Sequence, residues 1–187
     1  QWTFEPQVKW GIAKGCDVRA SSAFIGGGGD RAGSGNLRLG GTYQFLKRDP
    51  WPVLSLQEFV ELPTGLHSAG LDTTTNLLLT QPLGQVKPYR RLHLNATWIH
   101  NASPGPTERE NRYRLVLGYS QQIFKDTVLV ADFVIEQQFA MGENTRLLET
   151  GILQKFGKAL EVTFGAGAGL GEDSPVVRLG LGVRAKW

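Results

Sequence analysis

One cysteine, Cys16, stands in the 187 residues, so no intrachain disulfide can form and a stapled secreted mini-domain is excluded. No stretch approaches the ~18 consecutive apolar residues that a membrane-spanning helix needs. Nor is there a capped i, i+3, i+4, i+7 pattern long enough for an amphipathic helix. Charge of one sign is missing too: 20 Lys and Arg stand against 17 Asp and Glu, leaving +3 scattered along the chain. Without a basic run or helix, nucleic acid is not an expected partner.

What the chain has instead is alternation. Trp2, Phe4, Pro6, Val8, Trp10 and Ile12 alternate with Thr3, Glu5, Gln7, Lys9 and Gly11. The same period of two returns at Val18, Ala20 and Phe24, at Leu37 to Phe45, at Leu92 to Trp98, at Tyr113 to Tyr119, at Leu129 to Ile135, at Leu148 to Ile152 and at Leu160 to Ala166. It closes on Val177, Leu179, Leu181, Val183, Ala185 and Trp187, opposed by Arg178, Gly180, Gly182, Arg184 and Lys186. Val53 to Leu62 is ambiguous, because Glu58 shares its parity with Leu54, Leu56, Val60 and Leu62; either a bulge shifts the register or Glu58 faces the apolar side. Thr75 to Gln81 is weakly patterned. Strands with one apolar and one polar face keep mean hydropathy low, here −0.20, even when one face meets lipid.

The connections sort into two sets. Lys14 to Asp17, Leu46 to Pro52, Pro82 to Arg90, Gln122 to Thr127 and Lys155 to Lys158 are expected to be short and basic. Gly26 to Gly35, Pro63 to Thr74, Asn101 to Asn111, Gln138 to Thr145 and Gly169 to Pro175 are expected to be longer, richer in Gly and Pro, and acidic. Short turns on one side and long loops on the other are the outer-membrane pattern, with the short ones periplasmic. Trp10, Trp51, Tyr119 and Trp187 then fall in one interfacial aromatic belt, and Trp2, Trp98 and Tyr113 in the other. The fold expected is all-β: an antiparallel up-and-down transmembrane β-barrel of about 12 strands, in one domain over residues 1–187. Eleven segments are visible, and since bacterial single-chain barrels close on even numbers, the simplest expectation is a twelfth strand before Gln1, with parallel closure of the first and last strands or a miscounted segment as the alternatives. The location expected is the cell outer membrane, with the C-terminus periplasmic.

Several stretches resemble the outer-membrane barrel family named for the meta-pathway of phenol degradation. WGIAKGCDVRA at Trp10 to Ala20 is similar to that family's aromatic-Gly turn leading into a strand, with Lys14 and Gly15 where the family usually has Thr-Asp. GSGNLRLGGTYQF at Gly33 to Phe45 is similar to its Gly-rich loop and following strand, with Asn36 where Asp is common; LPTG at Leu62 to Gly65 and the closing hairpin add to the likeness. The resemblance implies a barrel that binds or passes small hydrophobic compounds.

The polar parity places Glu5, Lys9, Arg19, Arg38, Arg91, Arg114, Asp132, Glu136, Glu149, Glu161, Arg178 and Arg184 toward the lumen. Both signs interleave, which predicts cross-strand pairs, Arg178 and Arg184 with carboxylates such as Glu149 and Glu161 among them. The same charges serve either a weakly selective pore or a network that plugs it. GGGGDRAGSG at Gly26 to Gly35 lacks the Lys-Ser/Thr and the helix of a phosphate loop. His67, Ser68 and Asp72 crowd one loop and have no oxyanion hole, so no catalytic residues are assigned and no enzyme is expected. His93 and His100 lie on opposite strand faces and cannot share a metal, so no metal or cofactor is expected and solvated or belt histidines are the default. Two functions fit: a passive channel or transporter for small hydrophobic or aromatic solutes in outer-membrane lipid, or a non-conducting barrel docked on a periplasmic or envelope protein through its basic turns. A water-soluble barrel is a third, weaker fit, and requires the apolar parity to point inward.

Overall fold

The structure, a computed structural model, describes residues 2–26, 33–47, 51–65, 70–84 and 89–185. Twelve strand segments follow in chain order: β1 Trp2–Phe4, β2 Gln7–Ala13, β3 Cys16–Gly26, β4 Gly33–Leu46, β5 Val53–Leu62, β6 Asp72–Pro82, β7 Arg90–His100, β8 Asn111–Phe124, β9 Thr127–Gln137, β10 Asn144–Phe156, β11 Leu160–Gly169 and β12 Val177–Ala185. No helix occurs among the described residues. Every pairing is antiparallel, and each strand from β3 onward pairs with the next, so the chain is an up-and-down meander. Both β1 and β2 pair with β3 in one register, Trp2 opposite Gly26 and Gln7 opposite Ser21. They are one strand interrupted at Glu5 and Pro6, where proline has no N–H to give the ladder. The twelve segments therefore make eleven passes, the number read from the alternation.

The sheet is barrel-like but not closed: the β1–β2 strand and β12 are its two edges, and no ladder joins them among the described residues. Both edges run from the long-loop end to the short-turn end, so a direct pairing of the two would be parallel.

Turns and bulges follow from local chemistry. Gly15 (φ 77°) and Gly157 (φ 65°) supply the left-handed residue in two tight turns. Three of the four bulges, at Gly11/Ala13, Gln44/Leu46 and Gln122/Phe124, sit beside short-turn connections, where an extra residue increases the twist. The contrast in connection length is weaker than expected. One end has connections of two, six, seven, two and three residues and the other six, nine, ten, six and seven, so the sets overlap. Asp72, expected in a loop, opens β6, and its carboxylate accepts a hydrogen bond from the Ala102 amide at 2.9 Å.

The alternation separates two faces. Leu117, Leu148 and Phe164 are more than half exposed on the apolar face, whereas Val134 (0%) and Leu147 (1%) are fully buried on the opposite one. Register resolves the ambiguity at Glu58. β5 is unbroken against β6 from Val53 to Glu61, so no bulge intervenes: Glu58 faces outward with Leu56, and Phe59 faces inward, 4% exposed.

Candidate functional site

The inner face carries the chemistry, and register sets its rows. Arg178 stands opposite Gly167, which stands opposite Glu149; with no side chain at 167, the Glu149 chain crosses β11 and meets the Arg178 guanidinium at 3.6 Å. A Cβ at Gly167 would lie 2.7 Å from Glu149 Cγ, so any other residue there would displace the Glu149 chain. Three inward-facing rows nearer the short turns, Arg184 donates to Glu161 at 3.2 Å. The alternation leads to the expectation that these two arginines meet carboxylates such as Glu149 and Glu161, and the register assigns one to each. Arg114 pairs with Glu136 at 3.8 Å and Arg38 with Glu61 at 3.6 Å. Lys9 and Arg19 converge on Asp17 at 3.1 and 2.8 Å, and Ser21 donates to Glu5 at 2.9 Å. Arg91 reaches the same face by register but is exposed at the short-turn end. Asp132 makes no hydrogen bond or ion pair among the described residues; its carboxylate lies across Gly118.

Sequence reasoning missed several partners. Asp17 falls in an expected turn and Glu61 in the ambiguous strand, yet each anchors an arginine. His93 is not a solvated or belt histidine: Nδ1 lies 3.0 Å from Thr80 Oγ1 and Nε2 2.8 Å from Ser120 Oγ, which ties β6, β7 and β8 together. A neutral chain runs beside it, Thr97 donating to Asn76 at 2.6 Å, Asn76 to Gln57 at 3.3 Å and Gln57 to Thr42 at 3.1 Å. Only these residues' inward parity marks the chain in sequence. His100 lies on the other face, as its odd spacing from His93 requires, and Asn111 is its neighbour at 3.3 Å. His67 and Ser68 lie outside the described residues, so of that trio only Asp72 is placed.

Side chains fill the inner face unevenly. Arg38 lies 4.3 Å above the Phe59 ring, which itself covers Gly40. Arg112, expected from neither motif nor charge pairing, lies 3.4 Å above Phe139, a residue of the connection after β9. That connection is tied to the one after β7 by the Arg109 amide donating to the Phe139 carbonyl at 2.8 Å and the Met141 amide to the Thr107 carbonyl at 3.0 Å. Together with Val134 and Leu147, which face each other in register, these groups fill the long-loop end of the face around β8 to β10.

Toward β12 the same face opens into a cavity of about 340 Å³. Its floor is the row Gly151, Gly165 and Gly180 across β10, β11 and β12, with Gly182 beyond; its polar edge is Asp132, Glu149 and Arg178.

On the outer face the predicted belt residues Trp2, Trp10, Trp51, Trp98 and Tyr113 are all exposed. Tyr119 is half-buried, its hydroxyl donating to Gln121 at 2.8 Å; Trp98 Nε1 donates to Asn111 at 2.9 Å, and Trp98 stands opposite Tyr113. Trp187 lies outside the described residues. Among the described residues no group of acidic, histidine or cysteine side chains could hold a metal ion. Neither a protein-family model nor a curated protein sequence matches this chain.

Proposed function

We propose that the protein is an outer-membrane β-barrel that passes or binds small hydrophobic or aromatic solutes, the function implied by its resemblance to the phenol meta-pathway barrels. The observation that carries it is the sorting of the two faces. Leu, Val, Ile and Phe side chains stay exposed on one face of every strand from β7 to β12, while Arg114, Glu136, Glu149, Glu161, Arg178 and Arg184 pair on the other. In water an apolar face of that extent drives association; in a bilayer it is the surface required. A soluble barrel would need the opposite assignment of faces. The cavity beside β12 supplies the space for a solute. Planar-bilayer recording and liposome uptake test the function: reconstituted protein is expected to give discrete conductance steps and to admit a small neutral aromatic such as phenol. Silent bilayers with impermeable liposomes contradict it.

The filled region around Val134, Leu147 and the Arg112–Phe139 stack favours a second function, a non-conducting barrel held in an envelope assembly by its basic turns. Lys14, Lys47, Lys125 and Lys158 are exposed there. Charge reversal at Lys47 together with Arg48 and Lys87, the last two outside the described residues, is expected to release such a partner; unchanged co-purification counts against it.

A further inference from the structure

We propose that the cavity beside β12 binds a small organic cation with a flat apolar body, an amine or amidine on an aromatic or short aliphatic frame. The inference rests on the reading of the inner face as a solute site and names the class of solute. Three observations carry it.

The first is that the space is held open. Gly40, Gly118 and Gly167 lack side chains because a neighbour lies over them: the Phe59 ring, the Asp132 carboxylate and the Glu149 chain. Of the cavity's own four glycines, Gly151 is likewise dictated by packing, since a Cβ there would lie 2.9 Å from the Phe164 carbonyl oxygen, but the other three differ. A Cβ at Gly180 would meet nothing within 4 Å, one at Gly182 only Thr163 Cβ at 3.7 Å, and one at Gly165 only backbone, at 3.4 and 4.0 Å. None of the three has a positive φ, so neither packing nor backbone conformation requires glycine there. What the three have in common is an empty, flat floor of peptide.

The second is size. About 340 Å³, in a groove half open along the β12 edge, is at the low end for ligand pockets, which typically begin near ~300 Å³, and is enough for a small occupant.

The third is charge. Two carboxylates and one guanidinium edge the cavity. Glu149 is paired with Arg178 at 3.6 Å, and Arg114 is turned to Glu136 at 3.8 Å, close enough to Asp132 to attract it but leaving it without a hydrogen bond or close ion pair among the described residues. A carboxylate in such a setting is best offset by a cation that also hydrogen-bonds to it, and a planar amidinium does so through two N–H groups. An anion would meet two carboxylates and is disfavoured.

The test is calorimetric titration of the full chain in detergent micelles with benzamidine and with its neutral isostere benzamide. The unmodified protein is expected to bind benzamidine about tenfold or more tightly than benzamide, the gain of a charge-assisted bond. Asp132→Asn is expected to remove that preference while benzamide binding stays. Glu149→Gln, which frees Arg178 beside the site, is expected to reduce it as well and serves if the first variant fails to fold. Gly180→Leu, filling the floor, is expected to weaken both probes. Equal affinity for the two probes, no binding of either, or a preference that survives Asp132→Asn and Glu149→Gln overturns the proposal. Because micelle binding needs no conduction, a protein silent in bilayers that still prefers benzamidine loses the channel and keeps the site.

Discussion

Two parts of one inner face differ in what glycine does. Near β4 and β5, Gly40 lets the Phe59 ring lie flat against the sheet with Arg38 stacked on it; near β12, Gly180 and Gly182 face open space. The same residue type thus serves close packing in one place and vacancy in the other. The face is therefore part core and part cavity, and a uniform lumen of salt bridges, the picture that parity alone suggests, describes neither part.

If the packed part is a true core, truncating it has the largest effect. Phe59→Ala and Leu147→Ala are expected to destabilise by about 3–5 and 2–5 kcal/mol respectively. Urea unfolding in detergent followed by circular dichroism reads this, and losses below 1 kcal/mol would mean that the inner face is not packed. The glycine contrast predicts opposite signs for one added methyl group. Gly40→Ala, driven into the Glu58 carbonyl and the Phe59 ring, is expected to cost about 1–3 kcal/mol. Gly180→Ala, meeting nothing, is expected to stabilise by about 0.5–1 kcal/mol through the smaller backbone entropy loss of alanine. Equal effects at the two sites would erase the distinction. A further effect is expected on the outer face: Glu58→Leu should stabilise the protein in lipid vesicles, by less than about 1 kcal/mol if it lies near an interface and by up to about 2 kcal/mol nearer the midplane, since a carboxylate facing lipid is unfavourable, though less so than Lys or Arg. No gain in vesicles would argue that this part of the face does not meet acyl chains.

Much of this was legible in the sequence because strand parity is a strict code. Parity puts Glu149, Gly167 and Arg178 on one face, so that Arg178 and Arg184 are expected to meet carboxylates such as Glu149 and Glu161; the register then sets which meets which. Parity does not say how far a side chain reaches or what lies over it. Phe139 under Arg112 depends on a connection folding back onto the face, a contact with no local signal. Glu58 was undecidable because a bulge and an outward carboxylate give the same alternation, and only the unbroken β5–β6 register separates them. The cavity has no sequence signal for a related reason: a glycine in the sequence does not disclose whether a neighbour fills its place.

The central claim is that the apolar parity meets lipid. Single spin labels at Leu115, Val116, Leu117 and Gly118 on β8, in protein reconstituted into liposomes, test it through collision with oxygen, which partitions into the bilayer, and with a water-soluble nickel chelate. Oxygen accessibility is predicted to be high at 115 and 117 and low at 116 and 118. Alternation of the opposite phase, or nickel accessibility at 115 and 117 equal to that of a label in a connection, would contradict the account.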